Sequence, residues 1–178
     1  MIKKMMGLVF LMCIGLSSAV AQSASDVTGL WFMYDLNAKS PSGIIQIYEY
    51  EGRIYGRTLL AYDADGTVHK HTDEEVDRAR YLPGNPPTLG LDVIWGLTWN
   101  EKKNRYDDGH ILDPRKKNPY NVQLHRDGDI LKMRGSLGPF GATIDWTRAT
   151  TADLDGLKSF SNPVPVVYYD EKGKLIRN

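Results

Sequence analysis

The stretch SGIIQIYEYEGRIYGRTLLAYD (42–63) limits what this chain can become more than any other. Two β-rich runs flank Glu51-Gly52, a two-residue turn that asks for positive φ. That turn pairs Tyr50 with Arg53, Tyr48 with Tyr55, Ile47 with Gly56 and Gln46 with Arg57. Ile45, Ile47, Ile54 and Leu60 then share one face, and the tyrosines, Gln46 and Arg57 share the other. Side chains alternate with period two, so a slip of one residue would mix the two sets. The stretch is a β-hairpin.

The same logic recurs along the chain. LHRDGDILKMRG (124–135) predicts a hairpin turning at Asp127-Gly128, with Leu124 opposite Leu131 and Val122 opposite Met133. In LGLDVIWGLTWNE (89–101), Leu89, Leu91, Val93, Trp95, Leu97 and Trp99 alternate onto one core face, broken only by Ile94. GLWFMYD (29–35) and GATIDWTRAT (141–150) add a first strand and a late one. Between Asp63 and Thr88 the pattern stops. Thr72-x-x-Glu75 is a capping box that predicts a short helix over 72–81, ended by PGNPP (83–87). After Ala149, TADLDGL allows one helical turn, and the last residues predict a hairpin about Lys172-Gly173. The fold class is all-β: an antiparallel meander with one short helical insertion and a C-terminal extension, closed into a barrel that leaves no edges.

The chain opens MIKKMMGLVFLMCIGLSSAVAQ. Lys3 and Lys4 precede an apolar core from Met5 to Leu16, shorter than the roughly 20 residues that span a bilayer. Ala19-Val20-Ala21 is a small-x-small cleavage pattern. The expectation is a signal peptide over 1–21, a β-barrel domain over 22–150 and an extension over 151–178. The product would be soluble, periplasmic or secreted, with no transmembrane segment. Cys13, the single cysteine, lies inside the leader, so a hydrophobic core and not disulfides must hold the mature chain. Without the two leader lysines, 20 basic residues face 22 acidic ones. A chain that close to neutral, with no basic stripe, argues against a nucleic-acid partner.

Several motifs now line up in order. Gly29-x-Trp31 opens the first strand, GLDVIWGL precedes YDDGHILDP, a strand starts at Tyr120, LKMRGSLG follows, and Trp146-x-Arg148 comes late. Together they resemble an exported bacterial family, domain-of-unknown-function family 2147, from about Gly29 to Ala149. The resemblance implies a lipocalin-like β-barrel and an envelope location, and no particular reaction. In lipocalin-like barrels an arginine late in the chain covers the first-strand tryptophan. The resemblance therefore casts Trp31, Trp146 and Arg148 as a structural closure, with a guanidinium stacked on an indole.

YDDGHILDPRKKNPY (106–120) is chemically dense but reads as two strands and a turn. Alternation would put Tyr106, Asp108, His110 and Leu112 on one face and Asp107, Gly109, Ile111 and Asp113 on the other. Asp113-Pro114 then starts the turn. His69-Lys70-His71, near Asp63, Asp65 and Asp73, has imidazoles at metal-ligand spacing but sits in a polar insertion, so no metal site is assigned. DADG (63–66) begins like a calcium loop and lacks the remaining ligands. There is no GxSxG elbow or phosphate-binding glycine loop. No catalytic residue and no cofactor are expected.

The tyrosine-rich hairpin face is the best binding candidate. Gln46, Tyr48, Tyr55 and Arg57 would offer aromatic walls with convergent polar groups to a small apolar or amphipathic ligand. Sequence leaves open whether that face is the lumen or the outside. Three classes of function follow: a small-ligand-binding envelope barrel first, a non-catalytic structural or interaction domain second, and an enzyme third.

Overall fold

A computed structural model describes residues 27–63, 65–68, 77–154 and 164–176. The leader, His69 to Val76 and the stretch 155–163 lie outside the described residues. Eight strands run β1 (Gly29–Met33), β2 (Gly43–Tyr50), β3 (Arg53–Ala61), β4 (Asp92–Asn100), β5 (Arg105–Ile111), β6 (Tyr120–Asp127), β7 (Ile130–Leu137) and β8 (Phe140–Ala149). Each pairs antiparallel with the next, and β8 returns to β1, with Trp31 opposite Arg148. The meander closes into a barrel, as alternation and turn chemistry predict.

The β2–β3 hairpin has the expected register at Tyr50/Arg53, Tyr48/Tyr55, Ile47/Gly56 and Gln46/Arg57. Glu51 and Gly52 both take positive φ, 49° and 75°. Farther from the turn the register slips between Ile44 and Ile45, so Leu60 pairs with Ile44. Leu60 consequently leaves the Ile45/Ile47/Ile54 face and packs with Leu30, Ile44, Leu59 and Leu154.

The β6–β7 hairpin turns one residue later than expected, at Gly128-Asp129, with Gly128 at φ 60°. Glycine takes the first turn position, as a type II′ turn requires. Leu124 thus opposes Met133 and Val122 opposes Gly135. Each partner moves by two residues, so the faces are preserved while the pairs change.

Irregular β4 and β5 overturn the simple alternation assigned to both. Between β3 and β4 the register shifts on both sides of Gly56, and Gly96 takes φ 78°. These bulges turn Ile94 and Leu97 inward but place Trp95 on the outer wall. Trp99, expected in the core, is 46% exposed. In β5, Asp108 bulges at φ 63°, so Tyr106 packs inside while His110 pairs with Trp95 outside. No α-helix occurs among the described residues. The described part of the expected 72–81 helix forms turns and an Arg78/Pro87 bridge instead.

The barrel interior is packed with apolar side chains. Trp31, Ile45, Ile94, Leu97, Leu124 and Leu131 all show 0% exposure. A lumen open enough for a ligand would leave such side chains reachable by water; here they fill the space themselves. Two glycines make room for them. A Cβ on Gly56 would stand 2.9 Å from both Ile45 Cδ1 and Ile47 Cδ1, and one on Gly109 would collide with Leu97 Cγ.

Candidate functional site

The outer wall of β2–β5 carries a second buried region, covered by the chain's own residues 164–176. At its centre the Arg57 fork grips Asp92, with Nε to Oδ1 at 3.0 Å and Nη2 to Oδ2 at 2.6 Å. Tyr48 Oη donates to Asp92 Oδ1 at 2.7 Å, and the guanidinium stands 5.6 Å from the Tyr48 ring centre. The Asp92 side chain is 0% exposed, and the bidentate geometry satisfies both charges. Burial, and then the hydrogen bond to Asp92, push the Tyr48 phenol far above its ordinary range, so it stays a donor. The hydrogen bond to Asp92 likewise raises Arg57.

The tail completes this network through its backbone. Arg57 Nη2 donates to Val164 O at 2.9 Å, and Val166 N donates to Asp92 Oδ2 at 2.7 Å. Tyr169 then stacks on Trp95 at 5.4 Å between ring centres and 14°, while His110 stacks on Trp95 at 5.6 Å and 16°. Tyr169 Oη donates to Lys117 O at 2.7 Å, and Arg53 pairs with Glu171 at 2.9 Å. A tight bend, bridging Tyr169 to Leu175 with Gly173 at φ 69°, folds the tail back beside His110.

Between wall and tail lies a pocket of about 500 Å³. Arg53, Tyr55, Trp95, Asp108, His110 and Tyr169 are among its lining residues. Burial lowers the His110 pKa, and Asp170 on the tail pulls against it. Burial also raises the Tyr55 and Tyr169 phenols. Aromatic walls with a few convergent charges suit recognition of a small molecule. No cluster of potential metal ligands occurs among the described residues.

The residues singled out from sequence fall into two separate places. Gln46, Tyr48, Tyr55 and Arg57 share the outer wall: Tyr55 lines the pocket and stacks on Tyr48 at 5.8 Å, while Gln46 is the cross-strand neighbour of Arg57. Trp31, Trp146 and Arg148 lie inside the barrel. The Arg148 guanidinium stands 3.9 Å from the Trp31 ring centre, and its Nη1 donates to Thr28 O at 2.9 Å. Gly29 makes this approach feasible, because a Cβ there would come within 2.5 Å of Arg148 Nη1. Trp146 Nε1 is buried with no hydrogen-bond partner among the described residues.

Asp113 accepts from the Arg115 backbone N–H at 3.0 Å and opens the turn assigned to it. Asp65 binds Thr67, and His69, His71 and Asp73 lie outside the described residues. Sequence reasoning missed Asp92, Trp95, His110 and Tyr169 as site residues. Asp92 carried a signal, since it is the lone charge within LGLDVIWGL. Trp95 carried a misleading one, because unbroken alternation assigned it to the core.

An eight-stranded closed antiparallel meander with an arginine stacked on its first-strand tryptophan is a lipocalin-like barrel. The chain belongs to the family described as uncharacterized protein conserved in bacteria (DUF2147), whose model matches residues 29–148. Among solved structures it is similar to protein HP1028 from the human pathogen Helicobacter pylori, described as belonging to the lipocalin family. The two chains are 18% identical with a TM-score of 0.59, and the match covers 76% of this chain and 92% of the other. At that identity the likeness is one of fold. No curated protein matches.

Proposed function

We propose that this protein is an exported small-ligand-binding barrel of the cell envelope, with its binding site on the outer wall beneath the tail. The observation that carries this reading is the pocket of about 500 Å³ lined by Tyr55, Trp95, His110 and Tyr169. Its size falls within the range of small-molecule sites. The ligand is small and amphipathic, with a flat apolar part to lie along the aromatic edges and a polar group to meet Arg53, Asp108 or His110. Export rests on the basic-apolar-AxA leader, with cleavage after Ala21, the barrel domain over 22–150 and the extension over 151–178.

Native mass spectrometry of protein isolated from its own envelope tests both parts. The expected result is a mature chain beginning at Gln22 that retains a small molecule, with retention lost in Tyr55→Ala. Recovery of Met1 overturns export. A retained molecule indifferent to Tyr55→Ala, but lost on Met133→Trp, moves the site into the barrel.

A further inference from the structure

The tail is held on the outer wall as a bound peptide would be. Arg57 reads the carbonyl of Val164, and Asp92 reads the N–H of Val166, two residues farther on. Reading main chain at alternate residues is how proteins recognise an extended segment independently of its side chains. The side chains of Val164 and Val166 accordingly point away, 64% and 59% exposed. Pro165 between them keeps φ in the extended range. Side-chain selection begins at Tyr169, whose ring lies on Trp95 and whose hydroxyl reaches Lys117 O, and continues at Glu171 against Arg53.

The groove and its occupant are also separate parts of the chain. Tyr48, Arg53, Arg57, Asp92, Trp95 and His110 all fall within the family-matched region 29–148, and the tail lies beyond it. A fully buried carboxylate whose Oδ2 accepts a backbone N–H from outside the barrel is a receptor group, not a requirement of the barrel's own strand ladder.

We propose that this wall is a peptide-recognition groove. Its ligand is an extended segment with a main-chain carbonyl and N–H two residues apart, then a tyrosine three residues later and an acidic residue two beyond that. The tail occupies the groove in cis, as an intramolecular competitor. A short tether gives such a competitor an effective concentration of order millimolar, so a partner segment binds well only when the tail is loosened. The small-molecule pocket shares Arg53, Trp95, His110 and Tyr169 with this groove, but peptide binding does not require that the pocket hold a small molecule.

The test uses the full chain and a fluorescent synthetic peptide of residues 164–176. Val166→Pro with Tyr169→Ala removes the N–H donor and the aromatic anchor of the tail while leaving the barrel untouched. Hydrogen exchange reports whether the tail is released, and fluorescence polarisation reports peptide binding. The expected result is loss of protection over 164–176, and peptide binding at least tenfold tighter to the variant than to the wild type. A peptide carrying alanine in place of its tyrosine equivalent to Tyr169 should bind at least tenfold more weakly. The proposal is overturned if the released variant fails to bind, if the alanine peptide binds equally well, or if the substituted tail stays protected.

Discussion

The inside of the barrel and the outer wall beneath the tail are both buried, yet they are built from opposite materials. Inside, Trp31, Ile45, Ile47, Ile54, Ile94, Leu97, Leu124 and Leu131 exclude water by size and need few polar partners. Outside, Arg57, Asp92 and Tyr48 are buried beneath the tail, and they persist there because each polar group is bonded. An apolar core loses energy in proportion to the atoms removed. A polar one fails by leaving a charge without its partner. The barrel therefore tolerates gradual change within and responds sharply at its outer wall.

The largest expected effect tests that contrast directly. Asp92→Ala strands the Arg57 guanidinium and removes the acceptor of both Tyr48 and Val166, at a cost of about 4 kcal/mol. Leu124→Ala leaves a cavity at the interior and should cost about 3 kcal/mol. Urea unfolding of the two variants measures both. A loss below about 1 kcal/mol for Asp92→Ala would mean that the outer network contributes no more than a surface ion pair.

The next effect belongs to an interior site that mixes the two materials. Arg148→Ala removes the stacking on Trp31 and the hydrogen bond to Thr28 O, together worth about 2 kcal/mol. Arg148→Lys should not restore the melting temperature, because an ammonium cannot lie flat on the indole. Full rescue by lysine would show that only charge matters there.

How far sequence led differs between the two regions in the same way. The interior was legible because turn chemistry and period-two alternation agree over β2–β3 and β6–β7. Even the misplaced β6–β7 turn moved partners by two and kept Leu124, Leu131 and Met133 pointing inward. The outer wall was not legible, because Trp95 and His110 face outward only through bulges at Gly96 and Asp108. Tail docking is also a contact between segments far apart in sequence, which no local pattern encodes. Tyr48 and Arg57 could be chosen as a polar face, but Asp92 and Tyr169 become their neighbours only in three dimensions.

A smaller effect sharpens the register on which the inner face depends. Gly128→Val forces a β-branched residue to φ near 60° and should destabilise by about 1–3 kcal/mol. Lys117→Val, in the exposed loop between β5 and β6, should change stability by no more than about 0.5 kcal/mol. Its backbone carbonyl still receives Tyr169, so tail docking is preserved. Equal losses in thermal unfolding would mean that the β6–β7 turn does not govern which residues point inward.

The subtlest effect separates the regions by pH alone. His110 lies between Trp95 and the returning tail, and burial there holds its pKa below the ordinary 6.5, against the pull of Asp170. The docked state therefore binds fewer protons than the undocked state in the window just below 6.5. Stability that depends on this burial is fully present above that window and is lost as pH falls through it. Asp170 acts with the same sign but at lower pH: backbone donation from Lys174 holds its carboxyl below 3.8, so its contribution persists until pH falls beneath that value. Arg53, Asp108 and Glu171 line the same pocket as His110, so His110→Gln is the control that isolates the imidazole when pH is lowered from 7.5 to 5. Protection factors for residues 164–176 should drop over that interval while those of β6 and β7 hold. In His110→Gln the tail's protection should be flat. A tail equally protected at both pH values in the wild type would show that the imidazole does not sense the docked strap, and that the outer wall is as indifferent to protons as the interior.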